Sequence, residues 1–256
     1  MNEVGDRTRS DVAPVRLVDL LGSGISLKQS PDGYLDLLGD REAIGSSFSQ
    51  RVFRGKFIPR VYERFSRPMI ARLFFYRGTL SADEERRLVL DLLDISPGER
   101  VLDVGCGTGD FARHFAAAAE DGLTVGTDAS KTMLSAAVEK GGRENLEYLR
   151  ADACELPFND DEFDSVSCVG CIHLLDDPFK GLSEMVRVAL PGGRIVLGST
   201  WRKKKEGKWG KDGMVRFGCD ELTDALSAHG CVEIAQHVYG KGQFVVARKG
   251  MGSRLA

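Results

Sequence analysis

The stretch "VLDVGCGTGDF", Val101 to Phe111, has the residue types and spacing of a ligand-binding turn. An apolar run ends in alternate glycines, Gly105, Gly107 and Gly109, with Cys106 and Thr108 between them. Missing Cβ atoms let backbone amides approach a ligand closely. The dinucleotide fingerprint G-x-G-x-x-G uses such amides, with a helix N-terminus, to hold a pyrophosphate. Here the third glycine comes one residue earlier, and Asp103 stands two residues ahead of the first. A carboxylate at that place can order the turn or accept hydrogen bonds from an ammonium group, and it repels phosphate. Asp128, in "GTDAS", can accept both hydroxyls of a ribose, a feature shared with nicotinamide enzymes. Asp152, followed by Ala153, can accept from an adenine amino group. Aspartate is also common in ordinary turns, but three acids around one glycine turn point to one shared ligand.

The elements that must position these groups follow from periodicity. From Arg100 the sequence alternates strand and helix: "RVLDVG", "DFARHFAAAA", "LTVGTD", "KTMLSAAVEKG" capped by Ser130, "NLEYLRAD" and "EFDSVSCVG". "DPFKGLSEMVRVAL" then reads as a helix opened by Asp177-Pro178 and closed by "PGG", and "RIVLGST" as a fifth strand. Such alternation predicts a parallel sheet covered on both faces. After the helix "DELTDALSAHG", the strands "CVEIAQHV" and "QFVVARK" are separated only by "YGKG", which forces an antiparallel hairpin. Upstream, "SADEERRLVLDLLDI" is a helix with a capping box from Ser81 to Glu84. In this frame the three acids end three successive strands. The implied ligand carries an ammonium group, a ribose and an adenine and needs no phosphate; S-adenosylmethionine fits that description.

Composition narrows the class. A chain of 256 residues, 42% hydrophobic and 29% charged, with a formal net charge of −3, reads as a globular protein with no global attraction to nucleic acid. No apolar run reaches the length of a membrane span, and no signal-peptide core follows the polar start, so a cytoplasmic location is expected. Residues 1–15 are expected to be disordered, 16–80 to form a helical lid over the cleft, and 81–250 to form the ligand-binding core. The six cysteines read as reduced thiols. Cys168 and Cys171 form a C-x-x-C without a second ligand pair, so no metal is expected.

With these motifs in place, the chain resembles the class I S-adenosylmethionine-dependent methyltransferases. The matching residues are "VLDVGCGTG", "GTDAS", "RADACELPF", "FDSVSCVGCIHLLDDP" and "LPGGRIVLGS", in the family order and followed by the reversed hairpin. Within the family it looks most like the ubiquinone/menaquinone C-methyltransferase (methyltransferase type 11) group and its small-molecule relatives. The resemblance implies a Rossmann-like α/β fold: a seven-stranded, mostly parallel sheet whose last strand is antiparallel and inserted between the fifth and sixth. It also implies residue roles. Asp103 and the loop Gly105, Cys106, Gly107, Thr108, Gly109 hold the methionine portion of S-adenosylmethionine. Asp128 takes the ribose, Ala129 and Met133 flank the adenosine, Asp152 and Ala153 meet the adenine, and backbone near Val169 and Gly170 contacts the methionine end.

Methyl transfer needs no metal, only alignment of nucleophile, carbon and sulfur in a site closed to water. His173, just after the fourth strand, is the candidate base, with backbone hydrogen bonding as its structural alternative. His114 is expected to pack, and His229 and His237 to lie apart from the chemistry. Tyr34, Phe57, Tyr62, Phe65 and Tyr76 in the lid, with Trp201 and Phe217 beyond the fifth strand, are candidate walls for a lipophilic small-molecule acceptor. The product is S-adenosylhomocysteine, and the state a monomer or homodimer. Rival readings are a cyclase of natural-product biosynthesis that keeps the cofactor pocket, a nicotinamide-dependent oxidoreductase, and a cofactor-sensing binding protein.

Overall fold

The computed structural model describes residues 16–40, 80–202 and 215–252. In chain order come β1 (Lys28–Gln29), β2 (Leu35–Asp36), α1 (Ala82–Leu93), β3 (Arg100–Val104), α2 (Asp110–Ala119) and β4 (Leu123–Asp128). There follow α3 (Lys131–Glu139), β5 (Leu146–Arg150), β6 (Phe163–Val169), α4 (Pro178–Val188), β7 (Ala189–Thr200), α5 (Glu221–Ala228), β8 (Cys231–Tyr239) and β9 (Gly242–Lys249). Single 3-10 turns cover Leu17–Leu20 and Ile172–Leu174.

The strands form one nine-stranded sheet in the order β1-β2-β5-β4-β3-β6-β7-β9-β8. Strands β2 through β7 pair in parallel, and β9 runs antiparallel between β7 and β8. The seven strands β3 to β9 thus make the expected sheet, with the last strand inserted. The two-residue link Gly240-Lys241 leaves no room for a crossover, so β8 and β9 must form a hairpin.

Alternation along each strand divides the core. Val101 joins α1 and α2 residues such as Val89 and Phe115, whereas Leu102 and Val104 face α4 and α5 through Leu182, Met185 and Leu226. Helix α3 completes the first face with Leu134 and Ala137. Fully buried aromatics at Phe115, Phe163, Phe217 and Phe244 anchor both layers, each contributing about 1.5–3 kcal/mol on burial. The helix starts are written in the sequence. Ser81 Oγ accepts from Glu84 N at 3.2 Å while Glu84 Oε2 accepts from Ser81 N at 2.8 Å. Asp177 Oδ1 accepts from Lys180 N at 3.0 Å ahead of Pro178.

Two expectations change. Residues 16–40 are not helical lid: their 3-10 turn buries Leu17 and Leu20 against the core, and β1 and β2 extend the sheet beside β5. Residues 41–79 of that segment, with Phe57, Tyr62, Phe65 and Tyr76, lie outside the described residues, as do residues 1–15. The "PGG" stop also moves, because α4 ends at Val188 and Pro191 to Gly193 already belong to β7. Among the described residues no helix is long and apolar enough to cross a membrane.

Candidate active site

The carboxyl ends of β3, β4, β5 and β6 open into one cavity of about 440 Å³. In a parallel sheet the crevice beyond the strand ends is where loops from neighbouring strands can converge on a ligand. Asp103, Gly105, Cys106, Gly107, Thr108, Asp128, Ala129, Met133, Asp152, Ala153, Val169 and Gly170 all line it. Gly109 does not; it caps α2, and a Cβ there would overlap the Tyr148 hydroxyl. Its glycine serves the packing of Tyr148 under the loop rather than the ligand.

Backbone hydrogen bonds fix the loop. Gly105 N and Cys106 N both donate to Thr127 O, at 2.7 and 2.9 Å. Asp103 is only 2% exposed and sits in register between Gly126 and Ser167. The Asp128 carboxylate accepts from Gly107 N through Oδ2 at 2.9 Å and from Ser130 N through Oδ1 at 2.8 Å. A carboxylate offers about four lone-pair positions, so each oxygen keeps capacity for a ligand hydroxyl. Burial raises the Asp128 pKa above the ordinary carboxylate value, although the amides of Ser130, Gly107 and Ala129 oppose it. Asp152 Oδ1 accepts from Cys154 N at 2.8 Å, an Asx turn that sets the carboxylate at the cavity.

The opposite wall is Gly170 to Lys180. Gly105 lies directly beneath Cys171, whose sulfur occupies the space a Gly105 Cβ would need. That contact, with Gly105 at φ 71°, explains why both positions are small. Hydrogen bonding to Cys168, followed by burial, pushes the Cys171 thiol well above its usual range. Burial does the same at Cys106 and raises Cys154 to about 11. Thiolate is both the nucleophile and the metal ligand, so these neutral sulfurs act as wall. All six cysteines are free, and no metal-binding cluster occurs among the described residues.

The cavity's charge tests which ligand fits. Among the described residues, seven carboxylates (Asp103, Asp110, Asp128, Asp152, Glu155, Asp176 and Asp177) line it against the single cation of Lys180. Such a field favours a cationic ligand and repels a pyrophosphate. At Gly107 and Gly170 an added Cβ would meet nothing within 4 Å, so both glycines face open cavity and leave room for close backbone approach. The residues present fit S-adenosylmethionine, with its sulfonium and ammonium charges, and do not fit a dinucleotide.

Other expected residues lie elsewhere. His173 is 5% exposed in the turn after β6, and its carbonyl accepts from Val215 N at 3.0 Å, but it is not on the cavity wall. Tyr34 is buried with Cys106, Leu134 and Tyr148 in the core under α3. Phe217 is fully buried, edge-on to Phe179 with ring centroids 6.1 Å apart. Half-buried Trp201 bridges to Phe217 and donates its backbone N–H to Lys241 O at 2.6 Å. Phe217 therefore belongs to packing, and neither aromatic lines the cavity. His114 Nδ1 lies 2.7 Å from Asp110 O in its own helix, in line with a packing role. Conversely, Phe111, Cys171, Leu174, Leu175 and Lys180 line the cavity without having been singled out as ligand contacts. The signal is in the sequence: Phe111 follows the glycine loop after β3, and the other four run from the end of β6 into the start of α4, where a parallel sheet places its site.

Residues 102–197 match the family model described as a methyltransferase domain. The chain is 41% identical over 112 residues to a demethylmenaquinone methyltransferase of Renibacterium salmoninarum, a match covering 44% of this chain and 46% of that protein. It is 38% identical over 117 residues to a ubiquinone/menaquinone biosynthesis C-methyltransferase of Vibrio vulnificus, covering 44% and 45%. It thus spans about half the length of the curated relatives it matches. Among solved structures, a SAM-dependent methyltransferase from Aquifex aeolicus superposes with a TM-score of 0.57 at 22% identity, over 74% of this chain and 97% of that one. The cyclase SpnF superposes with a TM-score of 0.60 at 22% identity, over 67% and 82%. The glycine loop, the strand-end acids and the inserted last strand agree with these matches, and the domain at the centre of this chain is a class I S-adenosylmethionine-dependent methyltransferase domain.

Proposed function

We propose that the protein transfers a methyl group from S-adenosylmethionine to a lipophilic small molecule of quinone-precursor type, in the cytoplasm, as a monomer or homodimer. The observation that carries the first half is the cavity itself: among the described residues, seven carboxylates to one lysine around a glycine loop pinned by backbone hydrogen bonds. When bound, S-adenosylmethionine supplies a methyl carbon made electrophilic by its sulfonium. Asp128 binds the ribose hydroxyls with its remaining lone pairs, Asp152 accepts from the adenine amino group, and the Gly105 to Thr108 backbone with Asp103 holds the methionine end. The acidic field weakens its grip on the product, because S-adenosylhomocysteine has lost the sulfonium charge. Leu174, Leu175 and Phe111 supply apolar wall that excludes water. The acceptor class rests on the partial matches to quinone methyltransferases.

The test is calorimetric titration with S-adenosylmethionine, S-adenosylhomocysteine and NADH, followed by incubation with demethylated quinols. Binding of both sulfur ligands, no binding of NADH, and release of S-adenosylhomocysteine on an acceptor is the expected result. Binding without release on any acceptor would move the reading to a cyclisation in the same pocket; binding of NADH alone would overturn it.

A further inference from the structure

We infer that Arg150 is a positioning residue through which the N-terminal strand β2 fixes the ribose-binding carboxylate, an inference that rests on the methyl-donor reading of the cavity. Arg150 ends β5 with its side chain 3% exposed. In the sheet register Asp36, Arg150 and Asp128 form one line across β2, β5 and β4. The guanidinium reaches to both sides of the strand end. Its Nε donates to Ala129 O at 3.0 Å on the cavity side. One terminal nitrogen donates to Asp36 Oδ1 and Oδ2 at 3.1 and 3.2 Å and to Gly39 O at 2.7 Å on the N-terminal side. Asp36 Oδ1 is itself held by the amides of Leu38 and Gly39, both at 2.9 Å.

The consequence lies in one peptide plane. The carbonyl of Ala129 and the amide of Ser130 belong to the same planar unit. Arg150 Nε holds its oxygen end, and Asp128 Oδ1 holds its N–H end at 2.8 Å. Release of the carbonyl frees the plane to rotate, and Asp128 then loses one of the amides that set its carboxylate beside Gly107. Arginine suits this place because its rigid fork reaches both partners, which a lysine ammonium cannot do at once. A second charge is required too, since a lone guanidinium this deeply buried would be strongly disfavoured; Asp36 supplies it from a strand outside the seven-stranded sheet.

The experiment compares wild type with Arg150→Lys, Arg150→Met and the shape-preserving Asp36→Asn. It measures amide hydrogen exchange at Ser130, the Kd of S-adenosylhomocysteine by calorimetry, and Tm. Arg150→Lys and Arg150→Met should each weaken binding by about tenfold, and Asp36→Asn by about threefold, as losing one charge-assisted hydrogen bond or half of one predicts. Ser130 exchange should quicken in the same order. If Arg150→Met fails to fold, Arg150→Lys and Asp36→Asn carry the test. A lower Tm with unchanged Ser130 exchange and unchanged Kd overturns the inference, leaving an ion pair that only joins β2 to the sheet. Failure of the wild type to bind S-adenosylhomocysteine overturns the methyl-donor reading instead, and Ser130 exchange still decides whether Arg150 holds the peptide.

Discussion

The two walls of the cavity are held by different means. On the β3–β5 side nearly every turn is closed by a long-range hydrogen bond: Gly105 N and Cys106 N to Thr127 O, Gly107 N to Asp128, Arg150 Nε to Ala129 O. On the β6–α4 side the bonds are mostly local, such as Leu174 N to Cys171 O at 2.7 Å and Lys180 N to Asp177 Oδ1 at 3.0 Å, with long-range backbone bonds at Gly170 and His173. The first wall depends on particular residue types at particular places, because only a carboxylate or a missing Cβ can fill each role. The second depends on shape, which several residue types could supply. A wall of the first kind suits the constant part of a reaction, the methyl donor, and one of the second kind suits contacts that can vary.

The strongest break in that contrast is at the seam between the walls. Gly105→Ala puts a methyl group into Cys171 Sγ at a φ of 71°. Overpacking and a left-handed alanine together cost about 2–5 kcal/mol, so the urea midpoint should fall sharply and donor binding be lost. Gly107→Ala is the control, with a φ of 55° but open space around the new Cβ. It should cost about 1–2 kcal/mol in stability and weaken binding mainly because the methyl group enters the cavity. Equal destabilisation by the two substitutions would refute the Cys171 contact. Next in size is Asp128→Asn, which keeps the shape and removes the charge. It should raise the Kd for S-adenosylmethionine by about 10- to 100-fold, whereas Cys171→Ser on the second wall should change it severalfold at most.

This contrast also explains what could be read from residues alone. The glycine loop and the three strand-end acids were legible because each is a residue type that backbone geometry or charge demands. Topology was legible for the same reason: helical and strand periods alternate, and "YGKG" is too short to permit anything but a hairpin. Tyr34 and Phe217 fill core, and a large aromatic near a strand end looks alike whether it fills core or lines a cleft, since only the neighbouring layer decides. The strand pair β1–β2 left no pattern, being only two residues each; its docking includes the pairing of Asp36 with Arg150, residues 114 apart in sequence. His173 lies where the chain order puts it, just after β6, but it is buried in a 3-10 turn and is not among the cavity-lining residues, a local detail that periodicity does not carry.

Acid should separate cofactor binding from stability. Burial raises the Asp128 pKa in the folded protein above its unfolded value. The stability contribution of this group is therefore fully present below the unfolded carboxylate value and is lost as pH rises through the folded one. Ribose binding runs the other way, since the ionised form is the better acceptor. Donor affinity should decline on acidification at a pH above that of an ordinary aspartate, and Asp128→Asn should flatten that decline. Calorimetry between neutral pH and the acid limit of folding checks it; an unchanged slope in Asp128→Asn would assign the decline to another acid on the wall.

The smallest expected effect is at His173. A positioned base contributes about 10²–10⁴-fold to the rate, and to act it must reach the acceptor's proton. His173 is buried in the turn after β6 and does not line the cavity, while its carbonyl ties that turn to Val215. His173→Ala should therefore lower Tm through the cavity it leaves, with donor Kd and turnover of the bound complex within about twofold of wild type. A methyl acceptor that ionises near neutral pH needs little help from a base, which makes such a result compatible with efficient transfer. Should turnover instead fall by two orders of magnitude with donor affinity intact, His173 would be reinstated as the base, and the acceptor would have to enter from its side of the turn.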